Sequence, residues 1–181
     1  IDLNKLPILT HTGADGGPYV SSGLIIVKDE ELGQNVCFHR GMVFDKNRMA
    51  LRILERNTME ILKKNGGEVK AAYCIGCGGE TLLAAAMAPP IGVNELTIAN
   101  TLNPIKVVKA KTFDAVLPAD AEIIMEGTLS INEKHSEGPF VDLTETPDIV
   151  RQEPIFTIEK IYTDQIIFIM HYCLADLNTK S

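Results

Sequence analysis

Short apolar runs rich in β-branched residues, separated by turn-forming residues, recur along most of this chain. "THTGADGGPY" reads as a turn-rich loop, and "YVSSGLIIV" after it as a strand that "KDEELGQ" turns around. "NVCFHRGMVF" and "NRMALRIL" read as two further strands joined in a hairpin at "DKN". The period then changes. "TMEILKKNGG" predicts a short helix ended by glycines, with Lys63 and Lys64 in its last turn. "EVKAAYCIG" returns to a strand. "GETLLAAAMA" is a short helix stopped by Pro89 and Pro90, and "NELTIANTL" is another, with Asn94 as its cap and Glu95 in its first turn. The last third is mostly strand: "IKVVKAKTF", "AEIIMEGTLSI", "PIFTIEKIYT" and "QIIFIMHYC".

The sum is about eight strands with two or three short helices placed midway, a mainly β (α+β) pattern. Strands and helices do not alternate regularly, so a doubly wound parallel sheet is disfavoured. A closed or split β-barrel with a short helical insertion at residues 57–102 fits better, because closure removes exposed strand edges. The 181 residues suffice for a single domain, 1–181.

Composition and charge remove some function classes. The net charge is −7 and no basic patch stands out, so nucleic-acid binding is not expected. No apolar run approaches the ~20 residues of a membrane span. Four cysteines are too few for a disulfide scaffold at this length, which points to a reducing, cytoplasmic setting. Cys74 and Cys77 form one CxxC in "CIGC", which ends a β-rich run and has no second ligand pair. Two reduced structural thiols are the expectation there, ahead of a redox pair. The first residue is Ile, so the chain reads as a piece of something longer.

Several chemistry-bearing residues remain. "GQNVCFHR" puts Asn35 and Arg40 on one strand, "VNEL" puts Glu95 where a helix starts, and "EGPFVD" holds Glu137 and Asp142 either side of a proline and an aromatic ring. Each has a bland reading by itself: a surface ion pair worth ~0–1 kcal/mol, a helix N-terminal acid, a tight turn with Phe140 in the core.

Taken in order, these residues resemble the UbiD family of decarboxylases. The resemblance covers "DGGPY", the spacing in "NVCFHR", "DKNRMALRI", the Ala-rich helix ending in "APP", "VNEL", "LPADAEIIMEG" and the "EGPF" turn. It implies an FMN-binding split β-barrel, the central domain of a longer enzyme. The implied activity is reversible, prenylated-FMN-dependent decarboxylation of an aromatic or α,β-unsaturated carboxylic acid. By the resemblance, Arg40 grips the substrate carboxylate, Glu137 positions Arg40, and Asp142, with a raised pKa, gives the proton. The cofactor would meet Asn35, Phe38, His39, Arg40, Arg56, Asn57, Met87, Ala88 and Glu95. The family's divalent metal, commonly Mn²⁺, with K⁺ nearby, would fall to Asn35, Glu95 and Asn57. Here Asn57 stands where the family has His, which predicts a weakened metal site. Val141 stands where a glycine is usual after "EGPF", so the turn is expected to differ.

The implied partners are a small carboxylic-acid substrate, the missing N- and C-terminal domains or a companion subunit, and further copies in a homo-oligomer. The competing reading is a non-catalytic flavin-binding or assembly module on the same fold. A thiol redox protein acting through Cys74 and Cys77 is a third.

Overall fold

The computed structural model describes residues 1–163; "QIIFIMHYC" lies outside them. A 3-10 turn at Leu3–Lys5 leads into β1 (Tyr19–Val20), β2 (Leu24–Asp29), β3 (Gly33–Phe38), β4 (Gly41–Asp45) and β5 (Arg48–Leu51). Then come α1 (Asn57–Lys64), β6 (Glu68–Ile75), α2 (Gly79–Ala86) and α3 (Glu95–Leu102). β7 (Val107–Lys109), β8 (Val116–Pro118), β9 (Ile123–Glu137) and β10 (Arg151–Thr163) complete the described residues.

Among the described residues, eight strands form one antiparallel sheet in the order β1-β4-β5-β10-β9-β6-β2-β3, and β7 and β8 form a separate ribbon. β3 ends the order at one side, while β4 stands one place from the other end. Only His39 and Arg40 separate them in sequence. A connection that short spans the two ends only if the sheet curls round on itself, and the ladder is not continuous across that corner. This is the split barrel that the strand pattern leads one to expect.

Both faces of the middle strands are buried. In β2, Ile25 and Val27 enter one apolar cluster and Leu24 and Ile26 the other; in β6, Tyr73 and Ile75 oppose Ala72 and Cys74. Burial on both sides explains why these strands read as continuous apolar runs rather than alternating ones. α1 packs Ile61 and Leu62 into the first cluster. Ala85 of α2, Leu96 of α3 and Leu117 of β8 cover the second.

Several predicted elements differ in extent. "NVCFHRGMVF" is two strands, broken at His39–Arg40. A Cβ on Gly41 would lie 2.8 Å from Leu51 Cδ2, so glycine lets the chain turn tightly against β5. "YVSSGLIIV" likewise splits into β1 and β2. The region 57–102 is not purely helical: β6, a central strand, separates α1 from α2. "IKVVKAKTF" contributes only β7. The loop after it is pinned from outside the local sequence by buried Glu126, which accepts hydrogen bonds from the backbone N–H groups of Lys111 and Thr112 and from Thr112 Oγ1. The "DKN" hairpin, the Asn94 cap on Leu96 N and the cationic last turn of α1 are as expected. Cys37, Cys74 and Cys77 are free thiols. Among the described residues, no helix is long and apolar enough to cross a membrane.

Candidate active site

The β3–β4 corner carries Arg40, and the C-terminal end of β9 carries Glu137. The sheet brings them together. Arg40 Nε donates to Glu137 Oε1 at 2.8 Å and Nη2 to Oε2 at 3.1 Å, a bidentate fork on a side chain that is 0% exposed. Tyr19, buried on β1, donates its hydroxyl to the same Oε1 at 2.9 Å. Burial, and then the adjacent Glu137, raise the Tyr19 pKa well above its ordinary value, so it remains a donor. Phe140 caps the group, with its ring 4.7 Å from both the Arg40 guanidinium and the Tyr19 ring.

The "EGPF" turn is locked from two sides. Gly138 has φ +107, a region open to glycine, and is joined to Pro139 by a cis bond. Gly16 N donates to Pro139 O at 2.8 Å, and Val141 N donates to Asp15 Oδ1 at 3.0 Å. The loop "GADGG" is therefore the turn's partner, a role that a reading of "EGPF" by itself does not show.

The second acid expected beside Arg40, Asp142, is elsewhere. Asp142 Oδ1 accepts from Thr144 N, Thr144 Oγ1 and Thr146 N, closing an exposed turn. These bonds, from the Thr144 hydroxyl first, hold its pKa below the usual carboxylate range, opposite to the elevation expected. The carboxylate on Arg40 is Asp148, whose Oδ2 accepts from Nη2 at 2.8 Å. Asp148 Oδ1 also faces Arg151 Nη1 at 2.7 Å. Those two cations, Arg151 foremost, hold the Asp148 pKa well below the ordinary range. An antiparallel bridge pairs Val141 with Pro147, which leaves Asp142 in the exposed turn beyond it and Asp148 beside Arg40.

A second group lies where β3 meets α1 and α3. Glu95, 1% exposed, accepts from Asn35 Nδ2 and from Val36 N, both at 2.7 Å. Burial raises its pKa against those two bonds. Asn35 Oδ1 accepts from Thr58 Oγ1 at 2.8 Å. His39 Nδ1 lies 2.7 Å from Arg52 O, and its Nε2 lies 3.1 Å from Cys37 Sγ. Burial lowers the His39 pKa to about 4 and pushes the Cys37 thiol up to about 12. Both groups are thus neutral at pH 7. The imidazole N–H at Nδ1 donates to the Arg52 carbonyl, which leaves Nε2 an acceptor, and the one thiol hydrogen of Cys37 is shared between Nε2 and Asn35 Oδ1.

These residues line a cleft of about 600 Å³. Phe38, Leu54, Ala85, Ala86 and Ala88 make apolar walls; Asn35, Thr58 and Glu95 are polar, and Arg56 is a cation. Asn57 and His39 also line it, and Asn57 Nδ2 donates to Pro89 O at 3.0 Å. Of the expected cofactor residues, Met87 is largely exposed and not in the lining, and Arg40 sits in its own cluster. The size and the mixed lining suit a planar ring system with an anionic tail. Among the described residues, no three His, Cys, Asp or Glu side chains converge as a metal site. The oxygen donors present are Glu95 and the amide of Asn35, a hard-cation set with a single charge. Glu95 is bonded only through neutral N–H groups, so a cation there would offset its burial.

Comparison with known proteins accords with this geometry. The family model that matches describes the Rift-related domain of 3-octaprenyl-4-hydroxybenzoate carboxy-lyase, UbiD, over residues 1–175. An anhydromevalonate phosphate decarboxylase from Methanothermobacter thermautotrophicus is 40% identical over 167 residues, which is 89% of this chain and 39% of the relative. A protein of the same name from Methanosarcina mazei is 35% identical, with the same coverage of both. Among solved structures, an evolved dimeric form of the UbiD-class enzyme HmfF from Pelotomaculum thermopropionicum, in complex with prFMN, superposes with a TM-score of 0.85 at 34% identity. It covers 90% of this chain and 40% of that one. The chain thus spans about two-fifths of the length of the relatives it matches.

Proposed function

This chain belongs to the UbiD family, and from that premise we propose that it is the cofactor-binding central domain of a prenylated-FMN-dependent decarboxylase, working with flanking domains or a companion subunit. The observation that carries the reading is the bidentate Arg40–Glu137 fork, buried beneath Phe140. Arg40 is a fixed cation with donors left for a carboxylate. The names of the relatives favour an α,β-unsaturated acid that also bears a phosphate. The reverse carboxylation would use the same groups.

In this proposal the cleft would hold the flavin, Phe38, Leu54, Ala85 and Ala86 offering apolar contact to the ring system and Arg56 a cation for the phosphate. Glu95 and Asn35 would hold a divalent ion, with Asn57 as a weak third donor and K⁺ close by. When bound, prenylated FMN supplies the electron sink for loss of carbon dioxide. The chain's own part is orientation and proton delivery. Arg40, fixed by Glu137 and Tyr19, grips the substrate carboxylate, and Phe140 shields the pair from water. Asp142, at the family's position for the proton donor, would reach the reacting carbon by leaving its turn; its bonds there are all local, to Thr144 and Thr146. Three free thiols suit a reducing cytoplasm.

The test is expression of the complete enzyme together with a flavin prenyltransferase. The mass of the bound cofactor and carbon dioxide release from phosphate-bearing and phosphate-free unsaturated acids are then measured. Bound prenylated flavin with release from the phosphate-bearing acid supports the reading. A stable, folded protein that binds flavin and releases no carbon dioxide would make it an assembly module.

A further inference from the structure

The mechanism as proposed leaves one charged group beside Arg40 without a role. Asp148 lies on the same guanidinium nitrogen that completes the fork to Glu137, on a loop whose neighbours Leu143, Ile149 and Val150 are exposed. Its side chain is 29% exposed, whereas that of Glu137 is 0%. The two acids on Arg40 are therefore unlike. Glu137 is built into the core and also bonded by Tyr19, while Asp148 stands at the solvent side and is shared with Arg151.

We propose that Asp148 is a resident carboxylate on the substrate-facing edge of Arg40, displaced by the carboxylate of the substrate and drawn off by Arg151, so that the Asp148–Arg151 pair sets substrate affinity. The inference rests on the reading of Arg40 as the group that grips the substrate carboxylate. Three observations support it. The group already on Nη2 is a carboxylate, the same chemical class as the expected ligand, so the two compete for one donor edge. Charge points the same way: Arg40 with Glu137 is neutral as a pair, and adding Asp148 makes the cluster anionic until Arg151 balances it. The displaced carboxylate also has somewhere to go, because Asp148 Oδ1 is already 2.7 Å from Arg151 Nη1. Asp148 is thus a positioning residue that acts through Arg40, and it is separate from the proton donor.

Competition makes a prediction that a merely structural role does not, because the two partners act with opposite signs. In the complete, flavin-loaded enzyme, Asp148→Asn leaves a neutral amide oxygen on the Arg40 edge, which a substrate carboxylate displaces more easily than a charged one, and should lower KM by about threefold or more, with kcat within about twofold of wild type. Asp148→Ser should do the same and guards against a misfolded Asn variant. Arg151→Gln leaves Asp148 to Arg40 alone and should raise KM by a similar factor. The double variant should show the KM of Asp148→Asn, since Arg151 has no effect once Asp148 is gone. Higher KM in both Asp148 variants, or a double variant that follows Arg151→Gln, overturns the proposal.

Ligand-observed NMR with isovalerate, a saturated acid that the reaction cannot consume, separates this from failure of the functional reading. Arg40→Lys should weaken isovalerate binding, and Asp148→Asn should tighten it. If Arg40→Lys weakens binding and Asp148→Asn leaves it unchanged, the competition is wrong and Arg40 keeps its role. If Arg40→Lys has no effect, Arg40 does not grip carboxylates and both readings fall.

Discussion

A Cβ on Gly16 would stand 2.2 Å from the carbonyl oxygen of Gly138, a residue from the far end of the chain. The "GADGG" loop and the "EGPF" turn are therefore packed backbone to backbone, with Gly16 N bonded to Pro139 O. Real side chains do not approach this closely, so Gly16→Ala must push the turn away. The expected cost is about 1–3 kcal/mol of stability, together with loss of the Phe140 cap over Arg40. A melt gives the first, and activity of the complete enzyme the second. An alanine variant that melts and turns over like wild type would show that the turn has slack this packing does not allow.

Arg40→Lys tests the fork. Lys retains the charge but cannot place two donors on Glu137 and a further one outward. The expected outcome is loss of activity by about a hundredfold or more, with the fold intact, as read by steady-state kinetics alongside a melt. Equal turnover by the Lys variant would remove Arg40 from the active site.

Sequence and structure agree where the signal was local or carried by resemblance. The β-branched runs mark the strands, Asn94 marks its cap, and Arg40 and Glu137, singled out in "NVCFHR" and "EGPF", are bonded to each other. Long-range terms were not legible. Asp142, Glu145 and Asp148 alternate in one polar loop, and nothing in their spacing says that the bridge between Val141 and Pro147 leaves Asp148 beside Arg40. Tyr19 lies in "GGPY", inside the matching stretch, yet its hydroxyl meets Glu137 only because β1 and β9 sit at the same end of the barrel. Glu126 looks like an ordinary strand acid until its bonds to the Lys111–Thr112 backbone are seen. Cys37 and Thr58 join Asn35 in a network across two elements, and no motif links them.

His39 makes the fold sensitive to acid. Its pKa falls from an ordinary 6.5 to about 4 because charging the buried ring costs free energy, with the cation of Arg52 adding to that cost. A group whose folded pKa is depressed stabilises the fold above its unfolded pKa and loses that contribution as pH falls to the folded value. Stability should therefore decline between pH 6.5 and about 4, by on the order of 3 kcal/mol from this residue. His39→Gln cannot charge, so the difference between its pH–stability curve and that of wild type isolates the effect. Parallel curves over that interval would show that the ring charges without penalty.

Asn57 bears on the metal. An amide oxygen binds hard divalent ions more weakly than imidazole binds Mn²⁺, and Asn57 already donates its N–H to Pro89 O. Asn57→His should tighten Mn²⁺ binding about tenfold when flavin phosphate is present, as measured by calorimetry. Unchanged binding would mean that the ion, if held, is held by Glu95 and Asn35 with donors outside this cleft.

Asp142→Asn separates chemistry from structure unusually well. Two backbone bonds close the 142–146 turn, and the three made by the Asp142 side chain all end on Oδ1, from Thr144 N, Thr144 Oγ1 and Thr146 N. An Asn Oδ1 accepts all three, so stability should stay within about 0.5 kcal/mol of wild type. What Asn cannot do is carry the proton that the carbon needs after carbon dioxide leaves. In a single turnover of the complete enzyme, carbon dioxide should appear before product, with product release slowed by about a hundredfold or more. The lowered pKa adds a condition. While its turn is closed Asp142 is held ionised, so delivery requires the turn to open and the pKa to rise. Weakening the turn through Thr144→Val should then speed product release, or leave it unchanged where another step is slower. Carbon dioxide and product appearing together in Asp142→Asn at the wild-type rate would leave Asp142 as a turn cap and assign the proton to another acid.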